Sequence, residues 1–162
     1  MPNFSHGTAG IAYFLATLYR ETHQREFLAA ATEGGRYLQS IAVTDSGRAL
    51  IFELQTPGFW NNVSQCCGSA GVAEFFLNLY RATKRTEYLS FAKRVTADLI
   101  ARGNAEKDGL KWIQAEHRVK PDLLAAQTGY MEGAAGIGIW LLHLDAFEQG
   151  KSGTIVLPDS PF

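Results

Sequence analysis

Cysteine is scarce in this chain: there are two, Cys66 and Cys67, and they are neighbours. Adjacent residues cannot staple distant segments, so a disulfide scaffold is excluded. Charge is also thin, at 19% of residues against the roughly 25% usual for globular domains. That shortage points to elements buried on more than one side. The 15 basic and 16 acidic residues leave a formal net charge of −1. No basic surplus exists to neutralise phosphates, so no nucleic-acid partner is expected. No run reaches the ~18 apolar residues of a membrane span, and the start, Met1-Pro2-Asn3-Phe4-Ser5-His6, lacks the basic and apolar segments of a signal peptide. The expectation is a cytoplasmic protein. Phosphate-binding loops and nucleophile elbows are likewise missing.

What the sequence does have is a repeat. Apolar residues make up 46% and aromatic residues 12%, ample for a packed core in a 162-residue chain. Residues 6–31 (HGTAGIAYFLATLYRETHQREFLAAA) return as 67–92 (CGSAGVAEFFLNLYRATKRTEYLSFA), an offset of 61. A third copy, EGAAGIGIWLLHLDA, starts at Glu132, offset by 65 from the second. Each copy carries X-Gly-x-Ala-Gly before an apolar run, with X being His6, Cys67 and Glu132.

The runs predict inner helices near 9–22, 70–83 and 135–148, apolar nearly all round and therefore interior. Amphipathic outer helices are predicted near 25–42 and 86–102. In the second, Tyr88, Ala92, Val95 and Leu99 fall on one stripe. Inner and outer helices in alternation describe an all-α fold of α/α hairpin repeats, a partial toroid of about three repeats. One such repeat domain is expected over 1–162. The connections at 43–66 and 103–120 suit short hairpins or extended segments, and Pro121 opens a further short helix over Asp122–Gln127.

In such a fold equivalent repeat positions share a rim, so His6, Cys67 and Glu132 should converge. Cys66 and Cys67 are soft ligands suited to zinc. Candidates for a third ligand are His6, His117, Glu132 or a partner chain. Two local thiolates alone support at most weak zinc binding. Glu116-His117-Arg118 reads as a solvated loop and His23 as surface. His143, on an apolar helix, reads as a satisfied core histidine. Trp60, Trp112 and Trp140 read as packing residues before any ligand platform.

FSHGTAGIAYFLATLY, QCCGSAGVAEFFLNLY and GYMEGAAGIGIWLLHL resemble the repeats of the lanthionine synthetase C-like family. That resemblance implies an α/α toroid of about seven hairpins in the full family fold, of which this chain looks like a shortened, C-terminal portion. It implies zinc held by two cysteines and a histidine. It implies a peptide substrate whose cysteine thiol adds to a dehydrated serine or threonine to form a thioether. Ser5-His6-Gly7 matches the family's His-Gly motif, giving His6 an acid/base role. Cys66-Cys67-Gly68 matches its Cys-His-Gly motif, with Cys67 in the histidine's place. Glu132-Gly133 matches a late repeat that carries no zinc ligand in the family. The Trp-Cys-x-Gly repeat that supplies the other zinc cysteine has no counterpart here. Members outside cyclase pathways exist, so the alternative is a non-catalytic partial toroid that binds a peptide or assembles with itself. The all-apolar inner helices at either flank favour a homo-oligomer.

Overall fold

The structure, a computed structural model, describes residues 1–44, 47–50, 53–54, 59–60, 62–117 and 120–151. Five helices dominate: α1 Thr8–Thr22, α2 Arg25–Ile41, α3 Ser69–Thr83, α4 Thr86–Ala101 and α5 Ala134–Glu148. Each boundary lies within one residue of the sequence expectation. α1 and α2 pack as one hairpin, α3 and α4 as the next. Within the inner layer α3 lies between α1 and α5. Its residues from Ser69 to Leu79 are all buried, as an apolar surface on every side requires. The fold is all-α, built of helical hairpins.

Both hairpins turn in the same way. His23 and Lys84, one repeat apart, cap α1 and α3 in the left-handed conformation with φ of 58° and 60°. Their backbone N–H groups donate to the Tyr19 and Tyr80 carbonyls, an αL cap. Two residues later the outer helix begins, at Arg25 and at Thr86. Outer-helix burial follows the amphipathic stripe, with Tyr88, Phe91, Ala92, Val95 and Leu99 inward.

Four short antiparallel hairpins fill the connections. They pair β1 Val43–Thr44 with β2 Ala49–Leu50, and β3 Glu53–Leu54 with β4 Phe59–Trp60. Further along, β5 Asn104–Glu106 pairs with β6 Gly109–Lys111, and β7 Gln114–His117 with β8 Lys120–Ala125. The last pair corrects two expectations. Asp122–Gln127 does not form a helix: Ala115 faces Leu124 and Gln114 faces Ala125 across the ladder. Pro121 is tolerated because both strands of a two-stranded sheet are edges. Glu116 and His117 belong to β7 rather than to a loop. Among the described residues no outer helix follows α5.

The tryptophans that the structure describes are core residues. Trp140 is buried and donates from Nε1 to Thr96 Oγ1 at 3.1 Å, tying α5 to α4. Trp112 donates to the Leu99 carbonyl at 2.8 Å. The side chain of Trp60 lies outside the described residues.

Candidate metal centre

The three Gly-x-Ala-Gly turns fold alike. In each, two N–H groups at the helix start reach back seven residues. Thr8 and Ala9 donate to Met1 and Pro2, Ser69 and Ala70 to Asn62 and Val63, Ala134 and Ala135 to Gln127 and Thr128. The backbone passes so closely that the motif glycines have no room for a Cβ. At Gly10, Gly71 and Gly136 it would meet a backbone carbonyl oxygen at 1.8, 2.2 and 1.9 Å. Close approach, not unusual torsion, is what these positions demand.

The turns are also stitched to one another. Ser5 N–H donates to the Cys66 carbonyl at 2.9 Å, and Cys66 N–H donates to the Met131 carbonyl at 2.8 Å. Ser5, Cys66 and Met131 are repeat-equivalent, so the residues that follow them, His6, Cys67 and Glu132, come to one rim. Sγ of Cys66, Sγ of Cys67 and a carboxylate oxygen of Glu132 all lie within 4.8 Å of one another. Cys66 and Cys67 sulfurs are 3.2 Å apart, and both residues are half-buried.

The cluster has its own supports. Ser64 Oγ donates to Glu132 Oε2 at 3.1 Å and accepts from Cys67 N–H at 3.3 Å. Gln114, buried on β7, accepts from Val63 N–H at 2.9 Å and donates to the Glu132 carbonyl. One carboxamide therefore links the cysteine turn to the glutamate turn. Sequence reasoning passed over both Ser64 and Gln114. Ser64, two residues before the cysteines, carried only proximity as a signal; Gln114 carried none.

His6 stands outside the three-donor group and connects to it through Ser5. Ser5 Oγ is 2.6 Å from His6 Nδ1 and 3.6 Å from Cys67 Sγ. His6 N–H donates to Asn3 Oδ1 at 3.2 Å, which turns the Asn3 amide nitrogen toward His6 Nε2 at 3.4 Å. An amide NH₂ only donates, so Nε2 accepts and the ring proton sits on Nδ1. The donors then run in one direction, from Asn3 to His6 to Ser5 to the Cys67 sulfur. The side chain of His117 lies outside the described residues.

Electrostatics divide the two thiols. The hydrogen bond from Cys67 holds the Cys66 thiol below its ordinary range, against burial and the nearby Glu132 carboxylate. Cys67 is pushed up, first by its role as the donor to Cys66 and then by burial. The one hydrogen bond between the sulfurs thus sets the two acidities apart, Cys66 lower and Cys67 higher.

This donor set fits zinc. Two thiolates and a carboxylate are three protein ligands, the number that leaves a fourth position open in catalytic zinc sites. Tetrahedral zinc with bonds of about 2.3 Å separates two sulfurs by about 3.8 Å, so the pair must open only slightly. Beside it, Phe4, Ile11, Tyr13, Phe14 and Met131 join Cys66 in lining an apolar cavity of about 600 Å³.

The sequence of residues 51–152 matches the family model for lanthionine synthetase C-like protein. The chain belongs to that family. The match takes in α3, α4, α5 and the turns that carry Cys66, Cys67 and Glu132. α1 and α2 precede it, yet they repeat its pattern, with Gly7, Ala9 and Gly10 matching Gly68, Ala70 and Gly71 and His6 in the place of Cys67. No helix among the described residues is long and apolar enough to cross a membrane.

Proposed function

We propose that this protein is a zinc-dependent peptide-modifying member of the lanthionine synthetase C-like family, joining a cysteine thiol to a dehydrated serine or threonine. The observation that carries the reading is the convergence of Cys66, Cys67 and Glu132 from two different repeats. A solvated surface gives no reason for two thiols and a carboxylate to be gathered by a backbone ladder. Cys66, Cys67 and Glu132 would hold the ion. Zinc, when bound, supplies the positive charge that keeps a substrate thiol ionised at neutral pH. Ser64 orients the Glu132 carboxylate, and Gln114 fixes the distance between the two turns. His6 acts at the rim. Thiol addition forms a carbon–sulfur bond at the alkene β-carbon and leaves an enolate, which takes a proton at its α-carbon. His6 delivers that proton, and Ser5 carries the link between the imidazole and the sulfur cluster. We further propose that the chain acts as one α/α repeat domain, in the cytoplasm, on a peptide.

The test is metal content. Protein purified with zinc should carry about one ion per chain, with three protein ligands and an open position. Cys66→Ala, Cys67→Ala and Glu132→Ala should each lower it sharply. Ser64→Ala, acting through Glu132, should weaken affinity about 10–100-fold. Metal content unchanged in all four variants would overturn the reading.

A second reading, self-association, draws on the repeat itself. Val72 and Phe75 of α3 are 1% and 0% exposed, and Ile137 and Trp140 of α5 are both 0% exposed. Their counterparts on α1, Ile11 and Phe14, are 62% and 49% exposed. A face that two repeats bury and one presents is a surface suited to another copy of the same hairpin.

A further inference from the structure

We propose that Cys66 and Cys67 form a reversible redox centre, closing to a vicinal disulfide by exchange with a low-molecular-mass disulfide such as glutathione disulfide. The sulfurs are 3.2 Å apart, so about 1 Å of further approach reaches the 2.05 Å of a disulfide bond. Side-chain rotation supplies much of that movement. Both residues are half-buried rather than sealed. Cys66 forms part of the wall of the 600 Å³ cavity beside Phe4, Ile11 and Met131, which admits a small reagent. Ser5 Oγ, 3.6 Å from Cys67 Sγ, stands where a hydroxyl donor steadies a sulfur anion.

The exchange balances in two steps. One protein sulfur attacks a sulfur of the reagent RSSR, forming a mixed disulfide and expelling RS⁻. The second protein sulfur attacks the first, forming the ring and expelling a second RS⁻. The two protons of the cysteine thiols end on two RSH molecules. The protein is oxidised by two electrons and the reagent is reduced by two. Intramolecular closure outruns a second encounter because the neighbour is already in place.

The ring is strained. Adjacent Cα atoms are about 3.8 Å apart across a trans peptide, below the 4.4–6.8 Å usual for disulfides. Both backbone groups of Cys66 are already hydrogen-bonded, to Ser5 and to Met131, which limits how the chain can adjust. Strained disulfides are the easily reduced, labile ones. The closed form should therefore be a temporary state that a cellular dithiol reverses. Since the ring consumes both thiolates, it also removes the soft donors from the metal cluster. This second consequence rests on the zinc reading above; the redox pair itself does not.

Metal-free protein is incubated with glutathione disulfide at neutral pH, quenched with N-ethylmaleimide and weighed intact. The expected product is lighter by two hydrogens, carries no maleimide and no glutathione, and yields a cross-linked Cys66–Cys67 peptide. Dithiothreitol should restore two alkylable thiols. A stable glutathione adduct, two maleimides, or an intermolecular dimer on a non-reducing gel would each overturn the proposal. Cys66→Ser and Cys67→Ser should each stop at a single glutathione adduct, and ring-like mass loss in either would also overturn it. A parallel sample preloaded with zinc separates the two readings. Protection by zinc supports both, whereas equal ring formation with and without zinc supports the redox pair and overturns the metal assignment.

Discussion

Arg81 of α3 donates a hydrogen bond to Nε2 of His143 on α5 at 2.9 Å, and one repeat earlier Arg20 of α1 reaches Asn78 of α3 in the same way, at 3.0 Å. Residues 78 and 143 are repeat-equivalent, so each inner helix clasps the next through one arginine. The first clasp is extended by Asn78 Nδ2, which donates to the Tyr13 carbonyl and to Thr17 Oγ1. The second is extended by His143 Nδ1, 2.9 Å from Glu74 Oε2. Arginine has only donors, so Nε2 accepts, and the Nδ1 proton goes to Glu74. His143 is thereby a neutral ring holding a cation on one side and a carboxylate on the other. Burial lowers the Arg81 pKa and the Glu74 charge opposes that shift.

Removing His143 should therefore cost more than removing a core methylene. His143→Ala strands a carboxylate 1% exposed and a half-buried guanidinium. Breaking a buried charged arrangement by deleting one member costs about 3–5 kcal/mol. Asn78→Ala leaves neutral groups and one arginine tip, and should cost about 1–3 kcal/mol. Urea unfolding of both variants, compared at the same pH, checks the order. Equal losses would mean that the clasps do not carry charge as described.

Two glycines in α5 separate the motif from simple helix propensity. Gly136 is the last glycine of the third turn, where a Cβ would sit 1.9 Å from the Tyr130 carbonyl oxygen. Gly138, two residues on, has nothing within 4 Å. Gly136→Ala should destabilise by about 3 kcal/mol or more, since backbone must move. Gly138→Ala should stabilise by up to about 1 kcal/mol, the ordinary gain within a helix. Thermal melts of the two variants moving in the same direction would refute the close-approach account.

Much of the frame was legible because its signals are local. The X-Gly-x-Ala-Gly spacing marked each inner helix, and the stripe of Tyr88, Ala92, Val95 and Leu99 marked an outer one. The connections at 43–66 and 103–120 were legible as short hairpins or extended segments, but strands of two to six residues are too short for alternation to fix their pairing, and β8 was missed because Pro121 reads equally as a helix opener. The clasps were hidden for another reason. Thr17, Asn78 and His143 occupy one repeat position with three chemistries, so identity along the repeat conceals their shared task. At the site, the meeting of the Cys67 and Glu132 turns was legible from equivalence, whereas His6 stays outside the donor group and reaches it through Ser5. The choice of Glu132 among several third donors was not, since it depends on the Ser5–Cys66–Met131 ladder.

The unequal thiols give a pH signature in metal-free protein. A thiol whose pKa is lowered keeps its thiolate to lower pH, so it alkylates there when an ordinary cysteine no longer does. Cys66 is lowered chiefly by the Cys67 hydrogen bond, and Cys67 is raised chiefly by the same bond. The first alkylation by iodoacetamide should follow a midpoint below that of a free cysteine and fall on Cys66. Cys67→Ala should move the Cys66 midpoint up, because the bond that favours its thiolate is gone. Peptide mapping of the first label on Cys67, or a midpoint unmoved in the variant, would contradict the assignment of donor and acceptor.

The last expectation concerns the apolar faces of the outermost inner helices. Ile11 and Phe14 on α1 are exposed while their equivalents on α3 and α5 are buried. On α5 the same comparison runs the other way. Leu142 is 59% exposed, whereas its equivalents Leu77 and Ala16 are 0% exposed. α1 thus shows a face that later repeats cover, and α5 shows one that earlier repeats cover. Two such faces on one molecule are different from each other, so copies would join head to tail, and a closed ring or a short open chain would follow. Charge does little to prevent this, since charged residues make up only 19% of the chain. Light scattering should report a mass of at least about twice the 17.8 kDa of one chain. Phe14→Asp and Leu142→Asp, on opposite faces, should each shift the protein toward the monomer, and each alone should suffice, because a head-to-tail joint needs both faces. A monomer for the unaltered protein at micromolar concentration, or dissociation by one substitution and not the other, would remove this arrangement.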